Sequence, residues 1–392
     1  MRPMILRAAA IAALSQLLMA AAFAAQPLLP AGSGDRVPVR LATLPAPAGT
    51  FERQPVAFSW PLDPALALAA TPPYQAESRE YWLTVQGNEL QRGVTLPLSA
   101  ANALVRVSPA AGATALRADD IRVTMQGRPV AIARSADVQA LRQAGMDASA
   151  GTQVLRLGSG SGAGKATLQA ARAQGRYVIH VFEPDSPVVL HARADRSQAL
   201  AGEPMKVTIA ATSGNRAGAL RSQALLVAPD GRSQTVPVRA NPDGSQSAVF
   251  TLPDRVVTAP GLWELQVFSD VGGIPRDTRT AFAVAQPTAR LAGSYALDAS
   301  RLRVSLPVQA ASPGRYEARG TLYASAPDGS LRPVSEAHAA AWMDAGNGTL
   351  VLQFQREHLP PGYGAPFELR DLELNDQSRL GKLEARERAA RF

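Results

Sequence analysis

The chain has 392 residues, a net charge of +8 and no cysteine, which excludes disulfide bonds and a lipid-modified cysteine at a cleavage site. Almost all of the positive charge is arginine, which is scattered among Asp and Glu, and the only lysines are Lys165, Lys206 and Lys382. A nucleic-acid surface needs clustered basic residues, so this distribution argues against a nucleic-acid partner.

The N-terminus has the pattern of a secretory signal peptide. Arg2 and Arg7 flank the start, a largely apolar run covers residues 8–22, and Ala22-Phe23-Ala24 fits a small-x-small cleavage site. The run is shorter than the roughly 20 residues that span a bilayer. We therefore expect residues 1–25 to be removed, no transmembrane anchor, and a periplasmic or secreted protein.

The remaining chain is long enough for two or three domains. Residues 26–50 are rich in Pro, Ala and Gly without a sustained period, which predicts a flexible lead-in. Residues 51–185 alternate apolar and polar side chains in short runs such as 81–85 and 177–182, so they predict a β-rich N-terminal domain. Within it, residues 135–144 predict a short helix with Ser135 as its cap.

Residues 186–285 predict an Ig-like β-sandwich. In the stretch 260–270, Trp263, Leu265 and Val267 alternate with polar residues, as in a strand with one buried face. Seven such runs in about 100 residues, joined by turns such as Pro229-Asp230-Gly231, are typical of this fold.

Residues 286–392 predict a second sandwich, because the alternate residues between Leu302 and Val308 are apolar. Gly346-Asn347-Gly348 predicts a hairpin that joins 340–343 to 350–354, and the alanine-rich residues 383–392 predict a charged tail, frayed or helical. The fold class is therefore mainly β: a signal peptide, a β-rich N-terminal domain with a short helix, and two Ig-like antiparallel β-sandwich domains.

No pattern of catalytic residues stands out in the sequence. The glycine-rich run 158–166 lacks the residues of a phosphate-binding loop, and the four histidines lack the spacing of zinc ligands. Asp270 and Asp277 flank Gly272-Gly273 and are weak candidates for calcium ligands. We therefore predict no catalytic, cofactor-binding or metal-binding residues and no cofactor, and we favour a protein that is not an enzyme.

Four aromatic residues are the candidate ligand-binding residues, namely Trp60, Tyr74, Tyr81 and Trp82. Exposed aromatic rings would form a stacking platform for a sugar or a peptide. Buried rings would simply belong to the core, and the sequence leaves both readings open.

The C-terminal third also resembles a known family. Ser294-Tyr295-Ala296-Leu297-Asp298, Trp342, Gly348-Thr349-Leu350 and the segment 361–375 resemble the exported proteobacterial domain-of-unknown-function 4785 family. The resemblance implies an N-terminal domain followed by tandem Ig-like domains, and it implies export. It carries over no catalytic residue.

These observations favour a non-enzymatic binding or interaction protein of the bacterial periplasm or cell exterior, with a protein or glycan as its ligand. One alternative is a secreted hydrolase, or a hydrolase-accessory protein, with an unrecognised site in the N-terminal domain. A cleft with converging acids and a histidine would favour it. Another alternative is an envelope-assembly or structural factor that pairs through a sheet edge. No oligomeric state is predicted.

Overall fold

The N-terminal segment carries three short strands, which are β1 (Gln26–Pro27), β2 (Val56–Pro61) and β3 (Gln75–Ser78). The structure, a computed structural model, describes residues 25–66, 68, 72–158, 160–214, 216–257 and 259–392. The signal peptide predicted over residues 1–25 therefore lies almost entirely outside the described residues. Each of the three strands joins a sheet that is otherwise formed by a later part of the chain.

The N-terminal domain is built from two facing sheets. Its strands are β4 (Glu80–Gln86), β5 (Val94–Leu98), β6 (Leu104–Pro109), β7 (Ile121–Met125), β8 (Arg128–Pro129), β9 (Ile132–Asp137), β10 (Gln153–Leu157), β11 (Gly164–Ala170) and β12 (Arg176–Phe182). One sheet has the order β4-β12-β6-β10-β9 and the other β5-β11-β7-β8. Alternate side chains of both sheets, among them Val105 and Leu168, fill the core between them.

The N-terminal domain contains two short helices, α1 (Gly87–Arg92) and α2 (Val138–Gln143). The helix predicted over 135–144 is confirmed in place but begins later, because Asp137 Oδ1 accepts a hydrogen bond from the Ala140 N–H at 2.9 Å and acts as the cap in place of Ser135. Helix α1 was not predicted. No helix in the described parts of the chain is long and apolar enough to cross a bilayer.

The middle domain is a two-layer sandwich. Its strands are β13 (Val188–Ala194), β14 (Gln198–Leu200), β15 (Pro204–Ser213), β16 (Arg216–Ala217), β17 (Leu220–Val227), β18 (Ser233–Val236), β19 (Val238–Ala240), β20 (Gln246–Thr251), β21 (Trp263–Val271) and β22 (Ile274–Ala285). The sheet β14-β22-β21-β17-β18 packs on the sheet β19-β20-β15-β13-β3. The predicted inward residues Trp263, Leu265 and Val267 are buried in the core.

The C-terminal domain is a second sandwich. Its strands are β23 (Ala289–Leu291), β24 (Ser294–Asp298), β25 (Arg303–Ala310), β26 (Gly314–Ser325), β27 (Leu331–Met343), β28 (Gly346–Gln353), β29 (Gly364–Asp376) and β30 (Gly381–Arg391). The sheet β2-β27-β26-β29-β30 faces a sheet in which β24, β23 and β28 pair with β25. The mainly β class with Ig-like sandwich domains is thus confirmed, and the alternating apolar residues of β25 are buried as predicted.

The N-terminal segment runs back along the whole molecule. Strand β1 pairs with β24 and β2 pairs with β27, both in the C-terminal domain, whereas β3 pairs with β13 of the middle domain. Between β1 and β2, the backbone N–H groups of Leu28, Arg36 and Ala42 donate hydrogen bonds to the carbonyl oxygens of Gly293, Ala385 and Pro287. The prediction of a flexible lead-in over residues 26–50 is therefore wrong, because its backbone is hydrogen-bonded to the C-terminal domain and to the chain just before it.

Two local predictions for the C-terminal domain are also wrong. Strand β28 pairs with β25 of the opposite sheet, so the chain crosses between sheets after β27, and Gly346-Asn347-Gly348 begins β28 in place of forming a hairpin turn. The charged tail predicted over 383–392 is strand β30, in which Glu384 and Arg386 are buried and form an ion pair at 2.7 Å. A paired charge is tolerated inside a sandwich, so a polar sequence here still forms a strand.

Candidate ligand-binding cleft

A cleft of about 570 Å³ lies between the N-terminal and middle domains, and we call it the interdomain cleft. Strands β3 and β4 form one side and strands β21 and β22 form the other. The residues that line it are Tyr74, Ala76, Glu77, Ser78, Glu80, Trp82, Gln266, Phe268, Asp277, Thr278 and Arg279.

Three aromatic side chains in the interdomain cleft are open to solvent. Tyr74 is 72% exposed, Trp82 is 45% exposed and Phe268 is 40% exposed. The pleat explains two of them, because neighbouring strand residues point to opposite faces: Tyr81 and Val267 enter their cores, so Trp82 and Phe268 point outward.

Trp82 is held in place by its cross-strand neighbour. His180 pairs with Trp82 between β12 and β4, and the two rings stack with their centroids 3.8 Å apart and their planes at 7°. His180 Nε2 also lies 2.8 Å from Glu80 Oε2. This hydrogen bond stabilises the carboxylate and lowers the pKa of Glu80, although partial burial acts against it.

Asp277 links the two sides of the cleft. Its Oδ2 atom accepts a hydrogen bond from the Trp82 backbone N–H at 2.8 Å. Burial raises the pKa of Asp277 to about 6, against the opposing effect of that hydrogen bond, and the nearby Glu80 carboxylate contributes in the same direction as burial. The cleft therefore contains two carboxyl groups whose pKa values are shifted in opposite directions.

A buried ion pair lies next to Asp277 and is formed by the preceding residue, Arg276. Arg276 and Glu183 have fully buried side chains and lie 2.6 Å apart. Arg276 also donates to the hydroxyls of Ser99 and Ser186 at 2.8 Å and to the Val188 carbonyl at 3.1 Å. Because Glu183 belongs to the N-terminal domain and Arg276 to the middle domain, this network sets how the two sides of the cleft meet.

A second cavity of about 480 Å³ adjoins the interdomain cleft and shares Trp82, Phe268 and Asp277 with it. It also contains Asp270, whose Oδ1 atom accepts a hydrogen bond from the Gly273 N–H at 3.0 Å. Within the ranges that the structure describes, no three His, Asp or Glu side chains are grouped as metal ligands. The calcium hypothesis for Asp270 and Asp277 therefore gains no support.

The structure places the four aromatic residues singled out in the sequence in three different surroundings. Tyr74 and Trp82 both line the interdomain cleft. Tyr81 is buried and its hydroxyl donates to the Pro97 carbonyl at 3.0 Å. Trp60 lies on β2 in the C-terminal domain, stacked on His338 with their centroids 4.9 Å apart. Ligand binding stays a prediction for Tyr74 and Trp82.

Sequence reasoning missed Phe268, Glu80 and the position of Asp277. The alternation of β21 does place Phe268 on the outward face, opposite Val267, but a single outward aromatic residue does not by itself indicate a site. No local signal exists for Glu80 and Asp277, because 197 positions separate them in the sequence and only the packing of the two domains brings both into the cleft.

Another cavity, of about 420 Å³, lies at the junction of the middle and C-terminal domains. It is lined by residues 37–42 of the N-terminal segment and 200–204 of the middle domain together with Asp254, Gln286 and Pro287, and it has no aromatic residue. Its charged groups are already paired, Arg40 with Asp254 at 2.9 Å and Glu203 with Arg36 at 3.5 Å. It therefore offers fewer groups for recognition than the interdomain cleft.

Two models of one protein family match this chain. The model of the N-terminal domain of DUF4785, a domain of unknown function, matches residues 47–183, and the model of the C-terminal domain matches residues 288–392. The chain belongs to the DUF4785 family. No curated protein matches this DUF4785 chain.

The fold of this DUF4785 chain is similar to a crystal structure of a DUF4785 family protein from Legionella pneumophila, with 20% identity, a TM-score of 0.69, and coverage of 90% of this chain and 98% of that one. The adhesin InvE of Yersinia pseudotuberculosis is 14% identical over 51% of this chain and 57% of its own, with a TM-score of 0.18. Domains A168–A170 of titin are 11% identical over 79% of this chain and 98% of their own, with a TM-score of 0.19.

Proposed function

We propose that this DUF4785 chain is a non-enzymatic binding protein of the bacterial periplasm or cell exterior, and that the interdomain cleft holds its protein or glycan ligand. The observation that carries the proposal is the presence of three exposed aromatic side chains, Tyr74, Trp82 and Phe268, in one cleft. Clustered exposed apolar groups mark interaction sites, and aromatic rings provide contact area at a low cost in conformational entropy.

The surroundings of the cleft support a role in binding. Trp82 is stacked on His180 and its backbone is tied to Asp277, so the ring is held in position before any ligand arrives. The buried pair of Arg276 and Glu183 holds the two domains together. A site that is already ordered binds with a smaller entropy loss.

The test compares the unmodified protein with Tyr74→Ser plus Phe268→Ser. Both proteins are used to capture ligands from a periplasmic extract and on a glycan array. The control is Val249→Ser plus Leu262→Ser, which removes two exposed apolar side chains outside the cleft. We expect the cleft variant to lose binding and the control to retain it. Equal binding by all three proteins would refute the site.

A hydrolase is a second candidate, and the specific observation in its favour is the pair of carboxyl groups whose pKa values move apart, Glu80 downward and Asp277 upward to about 6. A proton donor and an ionised partner are the groups of general acid–base catalysis. If this candidate is correct, Glu80→Gln and Asp277→Asn will each abolish turnover of glycan or peptide substrates. Turnover that survives both changes would exclude these residues.

Export is part of the proposal and is supported by the pattern at residues 2–24. Expression of the full chain in a bacterial host, followed by fractionation and intact mass measurement, tests it. We expect the protein outside the cytoplasm with residues up to about 25 removed. A full-length mass in the cytoplasm would contradict export and leave the cleft experiments unaffected.

A further inference from the structure

The interdomain cleft is locally acidic in a basic protein. Its lining contains three carboxylates, Glu77, Glu80 and Asp277, and one cation, Arg279, whereas the whole chain carries +8 with histidines counted as neutral. Arg279 lies 3.5 Å from Glu264, which is outside the lining, so its charge is partly balanced elsewhere. The cleft thus has the opposite sign to the molecule around it.

Among the described residues, no guanidinium group lies over an aromatic ring of the cleft, where the His180 imidazole covers one face of Trp82. Among the described residues, guanidinium groups lie over aromatic rings at three places, which are Arg53 over Trp342, Arg255 over Trp263 and Arg370 over Tyr323. None of these contacts involves the cleft. Tyr74, Trp82 and Phe268 are therefore exposed rings beside carboxylates, and such rings attract an ammonium or guanidinium group over their faces.

Two carboxylates in the cleft have an oxygen without a protein donor. Asp277 uses Oδ2 for the Trp82 N–H, and Glu80 uses Oε2 for His180. Within the described ranges no other N–H or O–H group of the chain hydrogen-bonds to either side chain. A cationic donor entering the cleft would hydrogen-bond to oxygens that the fold itself leaves unused.

The backbone beside the cleft favours a peptide as the carrier of that cation. Strand β3 supplies Ala76, Glu77 and Ser78 to the lining, and among the described residues it is the terminal strand of its sheet, paired with β13 alone. Within those residues no strand pairs with its other edge, and an unpaired strand edge is the kind of backbone to which an extended chain can add. The adjoining cavity, which shares Trp82 and Phe268, gives such a chain room to continue.

We propose that the interdomain cleft recognises an extended peptide segment through a lysine or arginine side chain, which lies against Tyr74, Trp82 and Phe268 and pairs with Asp277 and its neighbouring carboxylates. This inference rests on the proposed binding function and names the chemistry of its ligand.

The probe is an acetylated and amidated five-residue peptide of Val and Thr with a central arginine, and it is titrated into the full chain by calorimetry. Matched probes carry glutamine or glutamate at the centre, and tetramers of N-acetylglucosamine and of glucosamine represent neutral and cationic glycans. We expect the arginine peptide to bind about tenfold or more tighter than the glutamine peptide, as expected for a desolvated cation–π contact together with an ion pair.

The protein variants are Asp277→Asn and Glu77→Gln, which each remove one cleft carboxylate. The control is Glu357→Gln, which removes an exposed carboxylate of the C-terminal domain. We expect the cleft variants to lose most of the preference for arginine over glutamine and the control to keep it, with the preference falling as salt is added.

Each of the other outcomes would overturn either the inference about a cationic peptide or the proposed binding function. If the arginine and glutamine peptides bind equally, recognition of the cation is wrong while ligand binding at the cleft stands. If only a glycan binds, and Phe268→Ser weakens it, the peptide inference is wrong and the proposed function stands. If no probe binds and cleft variants leave capture from the extract unchanged, both are wrong.

Discussion

At the scale of single residues, Asp277 connects the stability of the fold to the cleft. Its pKa is about 6 in the folded protein, above the ordinary value of 3.8, because burial disfavours the ionised form. Between these two values the folded state binds more protons than the unfolded state, so this group makes the protein less stable as pH rises from about 4 to 6. A carboxylate retained at such a cost is typical of a functional position.

Asp277→Asn removes this titration and keeps a carbonyl oxygen for the Trp82 N–H. We therefore expect the variant to be more stable than the unmodified protein above pH 6, with the difference shrinking toward pH 4. Thermal unfolding measured between pH 4 and pH 8 checks this. A difference that stays constant with pH, or grows as the pH falls, would show that the charge of Asp277 is not disfavoured by the fold.

The alternation of apolar and polar residues predicts on which face of a strand a side chain lies, but it does not predict which distant residues that side chain contacts. It places Tyr81 and Trp82 on opposite faces of one strand, as observed, so a single binding platform containing both was not available to the chain. Trp60 lies where it does because β2 pairs with β27. In that pair the Ser335 hydroxyl donates a hydrogen bond to the Trp60 carbonyl, 275 positions away in the sequence. No local pattern in the sequence encodes such a contact.

At the scale of elements, β2 is a strand of the C-terminal domain supplied by the N-terminal segment. Its Phe58 and Trp60 rings stack with each other and with His338. His338 in turn lies 2.7 Å from Glu317 and 2.9 Å from Glu336. The strand is therefore held by a backbone ladder and by side chains on its outer face.

A protease site inserted after Asp63 tests how firmly this segment is attached. After cleavage, we expect the piece that ends at the new site to co-elute with the rest of the protein in gel filtration, because β1, β2 and the chain between them remain hydrogen-bonded to the C-terminal domain. Phe58→Ser plus Trp60→Ser in the same background should weaken the retention. Release of the piece from the unsubstituted protein would contradict the interpretation.

Elements with a clean alternation, such as β21 and β25, were predictable because one face of each strand is apolar and the other polar. Strand β30 was not, since its interior positions include Glu384, which accepts a hydrogen bond from the Leu291 N–H at 2.8 Å and pairs with Arg386. When the partners of charged residues are distant in the sequence, the segment that carries those residues has the same pattern as a solvent-exposed tail. The same holds for residues 26–50, where the backbone N–H groups of Leu28, Arg36 and Ala42 bond to carbonyl groups beyond residue 280 in the chain.

At the scale of the whole molecule, the domains are joined by more than their linkers. The N-terminal segment contributes β1 and β2 to the C-terminal sandwich and β3 to the middle one before entering the N-terminal domain. Arg276 reaches from the middle domain to Glu183 and Ser99 of the N-terminal domain. The cleft exists only in the joined state, since the N-terminal domain supplies Glu80 and Trp82 to its lining and the middle sandwich supplies β3, β21 and β22.

This coupling predicts that the N-terminal and middle domains unfold together. Arg276→Met leaves Glu183 buried without its partner, which costs about 3–5 kcal/mol, so we expect calorimetry to show the single transition of these two domains split in two or move to a clearly lower temperature. Arg279→Met is the matched control on the same strand, because the Arg279 side chain that pairs with Glu264 is 73% exposed and ion pairs of exposed side chains contribute about 1 kcal/mol or less. If both variants unfold alike, the buried pair does not join the domains, and a cleft whose two sides it positions would lose its physical basis.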